Sequence, residues 1–406
     1  MPTSESPARG SAGMTGHPEQ RIGVLDGLRA IAIFLVLCTH GMEKVWTDLR
    51  QPYLPLGHFD LAVFFSNCWV GVDLFFVLSG FLITGQLLDS RIAEKEGRWQ
   101  TIGSYFKRRI CRIVPVYYLV LTFKTISSMF YDPLNRGALQ WAYSYIPHLL
   151  FLQNFFYVDF NPVYWSLALE FQFYLLAPFL ILLLLRIERP GSRYIALCVT
   201  IMLLTLLRSL AVALHWQIGS ADYHNWCQDI RIRFPFSLDG LLDGMLCAFL
   251  WRDGRFRALL QRKHVGSCLF FGGLALFLVL AGRRPPLEAE ISMFDKTLFL
   301  QYIAAAFSCM LLGLLAGSAG QRLFSSRPLR YVALVSYSMY LTHLIFRNAV
   351  FNLATRVTYP LHSHFVTYFT GLTLLVIVSV LISTFMYHVV EKPFIDWAKK
   401  VPEIRM

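Results

Sequence analysis

Charge is scarce in this sequence. Asp, Glu, Lys and Arg make up 15% of its 406 residues, against about 25% in a soluble globular chain. Hydrophobic residues make up 56%, and runs such as FLILLLL and LTLLVIVSVLIS recur along the chain. An ordinary soluble domain is excluded, and a polytopic helical membrane protein is expected. Acidic residues are the scarcer sign, leaving a net charge of +12. Excess base can mark nucleic-acid binding, but in a membrane chain it belongs to the cytoplasmic loops, so no nucleic-acid partner is expected. The eight cysteines have no metal-ligand spacing and no disulfide framework. With no convincing His/Cys/carboxylate set either, no metal site is expected. No short apolar core with a small-residue cleavage site precedes the first long span. Residues 1–21 therefore read as a flexible cytoplasmic tail, not a signal peptide. There is no internal repeat and no second soluble domain, only one membrane domain over 22–397 and a short tail at 398–406.

Ten spans are expected, at about 23–44, 67–89, 112–131, 162–185, 194–214, 233–250, 265–281, 295–317, 332–353 and 366–390. With the N-terminus inside, the inner segments hold 24 of the 37 Lys and Arg and the outer segments hold six. That asymmetry puts both termini in the cytoplasm. The outer segment 132–161 is aromatic and too broken to span. It is expected to lie on the interface or to dip back toward the bundle.

The first span, LDGLRAIAIFLVLCTH, carries Arg29 and His40. Eleven residues apart, they lie on one helix face, about 16 Å apart along the axis. A cation and an imidazole in one stripe of a membrane helix should face a bundle interior or a polar cavity. Neutral imidazole takes a proton from a hydroxyl at neutral pH, so His40 is a candidate general base for acyl transfer. A helix–helix hydrogen bond is the plainer alternative. Glu170, in YWSLALEFQFYLLAP, falls about two turns below the outer surface, near the expected depth of His40. It could fix the imidazole tautomer, as the acid of a triad does, or bond Trp165 or Tyr174 structurally.

Lys107, Arg108, Arg109 and Arg112 cluster in YFKRRICRIVPVYY. Arg109 and Arg112 share a face. They serve either the positive-inside rule or a phosphate site, because Arg forks bind phosphate bidentately. Pro115 is expected to break or kink the helix above them. Asp73, Asp239 and Asp243 sit in glycine-containing spans, where packing and polar glue is the simpler role. Ser79 and Ser166 stand in no nucleophile-elbow context. Ser336, Tyr337, Ser338, Tyr340 and His343 form a polar stripe in an apolar span, and Glu391, Lys392 and Pro393 sit at the inner edge.

Taken together, LDGLRAIAIFLVLCTH, WVGVDLFFVLSGFLI, YFKRRICRIVPVYY, YWSLALEFQFYLLAP, SYSMYLTHLIF and YHVVEKPF, in this order, resemble the integral membrane acyltransferase family 3. That family includes bacterial polysaccharide and lipopolysaccharide O-acetyltransferases. The resemblance runs from about residue 22 to 397. It implies a ten-helix domain that takes an acetyl or other short acyl group from cytoplasmic acetyl-CoA. The acceptor would be a hydroxyl of a carbohydrate or lipid-linked glycan outside the bacterial inner membrane. The family's Arg-ten-residues-His motif maps onto Arg29 and His40, its Arg-x-x-Arg onto Arg109 and Arg112, and its Trp-Ser…Glu onto Trp165, Ser166 and Glu170. Catalysis is then expected from His40 and Glu170, and donor binding from Arg29, Arg109 and Arg112. Asp73, Trp165, Ser166 and Tyr174 would bind substrate or hold structure. Some members carry a fused extracytoplasmic hydrolase-like domain. None is expected here, so the chain either acylates directly or works with a separate extracytoplasmic partner. The competing class is a proton-coupled carrier or flippase, which also places His, Arg and Glu in the membrane.

Overall fold

The structure is a computed structural model. It describes residues 18–46, 52–57, 59–94, 97–130, 138–156, 163–214, 226–283 and 292–400; the rest of the tails expected at either end lies outside the described residues. Among the described residues sixteen α-helices run in chain order. They are α1 (Pro18–Val45), α2 (Leu61–Ser66), α3 (Gly71–Asp89), α4 (Arg98–Phe130), α5 (Ala138–Leu149), α6 (Tyr164–Leu185), α7 (Pro190–Leu214) and α8 (Asp239–Arg252). Then come α9 (Gly254–Leu260), α10 (Val265–Ala281), α11 (Met293–Thr297), α12 (Phe299–Leu315), α13 (Gln321–Phe324), α14 (Arg327–Thr358), α15 (His364–Met386) and α16 (Lys392–Lys400). One two-residue hairpin, Pro55–Leu56 with Phe59–Asp60, accompanies them.

Lipid offers the backbone no hydrogen bonds, so apolar segments of this length close their own as helices. Helix α7 shows the sidedness. Leu206 and Leu214 are 63% and 74% exposed, while Leu197, Ile201 and Val212 are buried. An open leucine face of that kind suits acyl chains, and the chain is a helical multi-pass membrane protein. The expected spans meet helices, but 295–317 is divided between α11 and α12, and 233–250 becomes helical only from Asp239. Among the described residues six helices are long and apolar enough to cross, or seven if α9 and α10 are one broken span. Helices α8 and α12 are shorter, with 14 and 17 residues. Helix α14 has 32 residues and turns its polar stripe inward: Ser336, Ser338, Thr342 and His343 are all buried.

Helix α3 is the centre of the bundle, buried on most of its surface. It packs closely on α8 because glycines remove the side chains between them. A Cβ on Gly80 would stand 2.0 Å from the Leu241 carbonyl oxygen, and one on Gly244 would stand 2.1 Å from that of Val77.

Helices α1 and α14 run side by side in the same direction. Asp26 faces Arg330 at 4.0 Å, His40 faces His343, and Glu43 pairs with Arg347 at 3.2 Å. The offset between partners stays within one residue over this length, which fixes the register. Helix α4 passes through Pro115 as one 33-residue helix, so the expected break there does not occur. A proline removes one ladder bond, and the long flanking stretches of α4 hold the helix together across it. The described part of the aromatic outer segment dips back. Tyr117 and Tyr118 donate to the carbonyls of His148 and Leu149, and Gln172 donates to that of Phe151 at 2.8 Å.

Candidate active site

A cavity opens between α1, α3, α4, α6 and α14. Arg29, Arg109 and Arg112 bring three guanidinium groups to it, and Ser79, Glu170, Tyr174 and Tyr340 line its other walls. Arg29 arrives from the stripe of α1, and the other two from the i, i+3 face of α4. Arg109 donates to Gln86 Oε1 at 2.7 Å and lies over the rings of Tyr105 and Tyr174, 5.7 and 5.5 Å from their centroids. Arg29 and Arg112 make no hydrogen bond or ion pair among the described residues. At longer range the carboxylates of Asp26 and Glu391 attract both of them. Guanidinium groups are fork-shaped donors of the kind that suits a phosphate.

Glu170 stands in the same cavity. One of its oxygens, Oε1, accepts hydrogen bonds from both the Ser79 and Tyr174 hydroxyls. Tyr105 holds the turn from behind, donating to the Tyr174 carbonyl at 3.2 Å. One turn along α6, Ser166 Oγ lies 2.5 Å from the Tyr340 hydroxyl and donates to the Val163 carbonyl at 3.0 Å. Both hydroxyls are thus engaged at the far end of the cavity.

His40 is not in the cavity wall. It stands beyond Tyr340, with Nδ1 2.9 Å from the Val36 carbonyl oxygen and 3.1 Å from Nε2 of His343. The His343 ring lies 6.0 Å from the Tyr340 ring, centroid to centroid. The expected partnership of Glu170 with His40 is therefore corrected. Glu170 bonds Ser79 and Tyr174, and His40 bonds Val36 and His343. Counting turns gave the two residues a common depth, but the contacts set them apart. His343 lies three residues beyond Tyr340, and Glu170 lies four residues from Ser166 in the opposite sense, a separation of about 10 Å along the helix axes.

Asp73 and Trp165 also fall outside the cavity wall. Asp73 accepts from Arg231 Nη2 at 2.8 and 3.0 Å, with both side chains 3% exposed. The guanidinium carbon lies 4.7 Å from the ring centroid of Trp165 and 5.2 Å from that of Trp69. This is a buried clamp joining α3, α6 and the Cys227–Arg231 turn. A similar pair, Arg208 with Asp239 at 2.6 Å, ties α7 to α8. Sequence reasoning missed Arg231, a single basic residue in an outer loop. It also missed Gln86 and Tyr105 around Arg109, and the pairing of His343 with His40. Only the polar stripe of α14 pointed toward that last pair.

Comparison with known proteins adds the following. A family model described as an acyltransferase domain (Acyl_transf_3) matches residues 22–388. The peptidoglycan O-acetyltransferase OatA of Listeria monocytogenes is 26% identical over 345 residues, covering 81% of this chain and 50% of the relative. The O-acetyltransferase OatA of Staphylococcus aureus is 26% identical over 351 residues, covering 80% and 51%. A putative peptidoglycan O-acetyltransferase of Bacillus subtilis, YrhL, is 26% identical over 389 residues, covering 91% and 54%. The chain thus spans about half the length of these relatives. No solved structure matches.

Proposed function

Since the chain belongs to the acyltransferase family 3, we propose that it transfers an acetyl or other short acyl group from cytoplasmic acyl-CoA to a carbohydrate hydroxyl at the outer face of a bacterial cytoplasmic membrane. The acceptor class follows the peptidoglycan O-acetyltransferases among its relatives. The donor assignment rests on one observation: Arg29, Arg109 and Arg112 converge on one cavity, and two of them make no hydrogen bond or ion pair among the described residues. The CoA phosphates bind these arginines, and the pantetheine arm extends along the α1 stripe toward His40. Glu170 takes the donor side of the site. Its carboxylate, held by Ser79 and Tyr174, accepts from an amide of the arm.

In the reaction His40 takes the proton of the acceptor hydroxyl. The oxygen attacks the thioester carbonyl carbon, the carbon–sulfur bond breaks, and the CoA thiolate leaves with the proton that His40 returns. The basic loops orient this path, with the arginine end of the cavity in the cytoplasm and both termini there. Carrier sites are typically built from helices broken inside an apolar run, whereas α9 and α10, the one bent pair among the described residues that could form a single span, part by 78° at the basic loop around Arg262 and Lys263.

The test is acyl transfer in liposomes, with labelled acetyl-CoA supplied on the arginine side and a peptidoglycan-derived glycan on the other. Label on the glycan with wild-type protein, and none with folded His40→Ala, is the expected result. An unlabelled glycan across a range of acyl donors and glycans would overturn the proposal.

A further inference from the structure

The structure assigns His343 as the positioning residue of His40, the part that a carboxylate plays in a triad. This rests on the acyl-transfer reading of His40 given above.

Four contacts fix the protons. Nδ1 of His343 lies 2.8 Å from the Tyr340 carbonyl oxygen and 3.1 Å from that of Met339. A carbonyl oxygen only accepts, so this nitrogen carries a hydrogen, and Nε2 of the neutral ring presents a lone pair. That lone pair faces Nδ1 of His40 at 3.1 Å, and the Val36 carbonyl oxygen faces the same atom at 2.9 Å. With two acceptors around it, His40 Nδ1 must also carry the hydrogen. The remaining nitrogen, His40 Nε2, then holds a free lone pair. It has no hydrogen-bond partner among the described residues, and the ring is only partly buried. In the opposite tautomer a lone pair of His40 would point at the Val36 carbonyl, and the base would already be occupied.

The surroundings keep this arrangement in place. His343 is fully buried. One turn further on, the α1–α14 register is pinned by Glu43 and Arg347 at 3.2 Å. When His40 Nε2 accepts the proton of the acceptor hydroxyl, its Nδ1–H becomes a stronger donor. The bond to His343 Nε2 strengthens with it, and no proton need pass to His343. The proton on His40 Nε2 goes on to the departing CoA thiolate, and the pair returns to its starting tautomers.

The experiment combines a spectrum with kinetics. ¹⁵N-histidine-labelled protein in nanodiscs gives the tautomer of each ring, with signals assigned by difference from His40→Asn and His343→Asn. The expected result is a protonated Nδ1 and a bare Nε2 for both residues in the wild type. His343→Leu should lower kcat by about 10- to 100-fold, the range seen when a partner that orients a histidine is removed, with KM for acyl-CoA held within about twofold. His343→Gln places a carboxamide oxygen near the lost nitrogen and should recover most of kcat. A wild-type His40 protonated on Nε2, or a folded His343→Leu with wild-type kcat, would overturn the assignment. Full activity in folded His40→Ala would instead sink the acyl-transfer reading, and it is scored with His343 intact.

Discussion

Ser79 and Glu170 are 91 residues apart in sequence, yet the Ser79 hydroxyl donates to the Glu170 carboxylate across α3 and α6. Tyr174, one turn along the same helix, donates to the same oxygen. Hydrogen bonds to a charged acceptor contribute about 1.5–3 kcal/mol each. Tyr174→Phe should therefore weaken acyl-CoA binding by roughly tenfold or more, and Ser79→Ala by a similar amount, while purified protein keeps its fold. Glu170→Gln keeps the shape and loses the charge, so its main effect should be on donor KM. Titrating acetyl-CoA against initial rate separates the two constants. A Glu170→Gln protein with unchanged KM and a collapsed kcat would return Glu170 to the role of orienting the base.

The arginines are not interchangeable with lysines. A guanidinium offers a planar fork of donors where an ammonium offers a point charge. Arg112→Lys keeps the charge next to the cavity and should still raise KM for acyl-CoA about tenfold. Arg112→Ala should raise it further. Arg109→Lys should cost more than charge alone, because Arg109 also stacks on Tyr105 and Tyr174 and donates to Gln86. Dephospho-CoA donors identify which arginine meets which phosphate: a variant that has lost the relevant contact shows no further loss with the shortened donor.

In the first span the helix period puts Arg29 and His40 on one stripe that lipid rejects, but only Arg29 reaches the cavity, and His40 stands beyond Tyr340 against His343. The Arg109–Arg112 face was legible for the same reason, and the cavity gathers Arg29 with both. Depth along a helix could be counted, but rotation of one helix against another could not. That is why turn counting leaves Glu170 open between orienting His40 and a structural bond to Tyr174, and does not reveal Ser79 on another helix. Asp73 looked like polar glue, and its partner Arg231 comes from a loop 158 residues away. Nothing in the spacing of a single helix encodes such a contact. His343 sat in a visible polar stripe, but only the parallel register of α1 and α14 brings it to His40.

Close helix contact at the core can be tested on glycine. Gly80→Ala puts a methyl where only 2.0 Å separates it from the Leu241 carbonyl oxygen. Backbone cannot rotate aside as a side chain can, so α3 and α8 must part. Overpacking of this kind costs typically about 1–3 kcal/mol. The melting temperature in detergent should fall clearly, whereas Gly103→Ala, with open space around its Cβ position, should hold it or raise it slightly, because Ala is the better helix former.

The Asp73–Arg231 pair is the strongest test of the bundle's polar interior. Both side chains are almost wholly buried and only 2.8 Å apart. Removing one partner leaves the other charge without compensation, which costs about 3–5 kcal/mol in buried pairs. Asp73→Asn and Arg231→Met should each lower thermal stability sharply. The double variant Asp73→Asn/Arg231→Met leaves no bare charge, so its loss should be well below the sum of the two single losses. Arg231 also stacks between Trp69 and Trp165, so some loss should persist in the double variant as missing cation–π contact. Thermal unfolding of the four proteins in one detergent closes this cycle. Additive losses would mean that the two residues act separately, and that the stability of α3 comes from its glycine contacts with α8 instead.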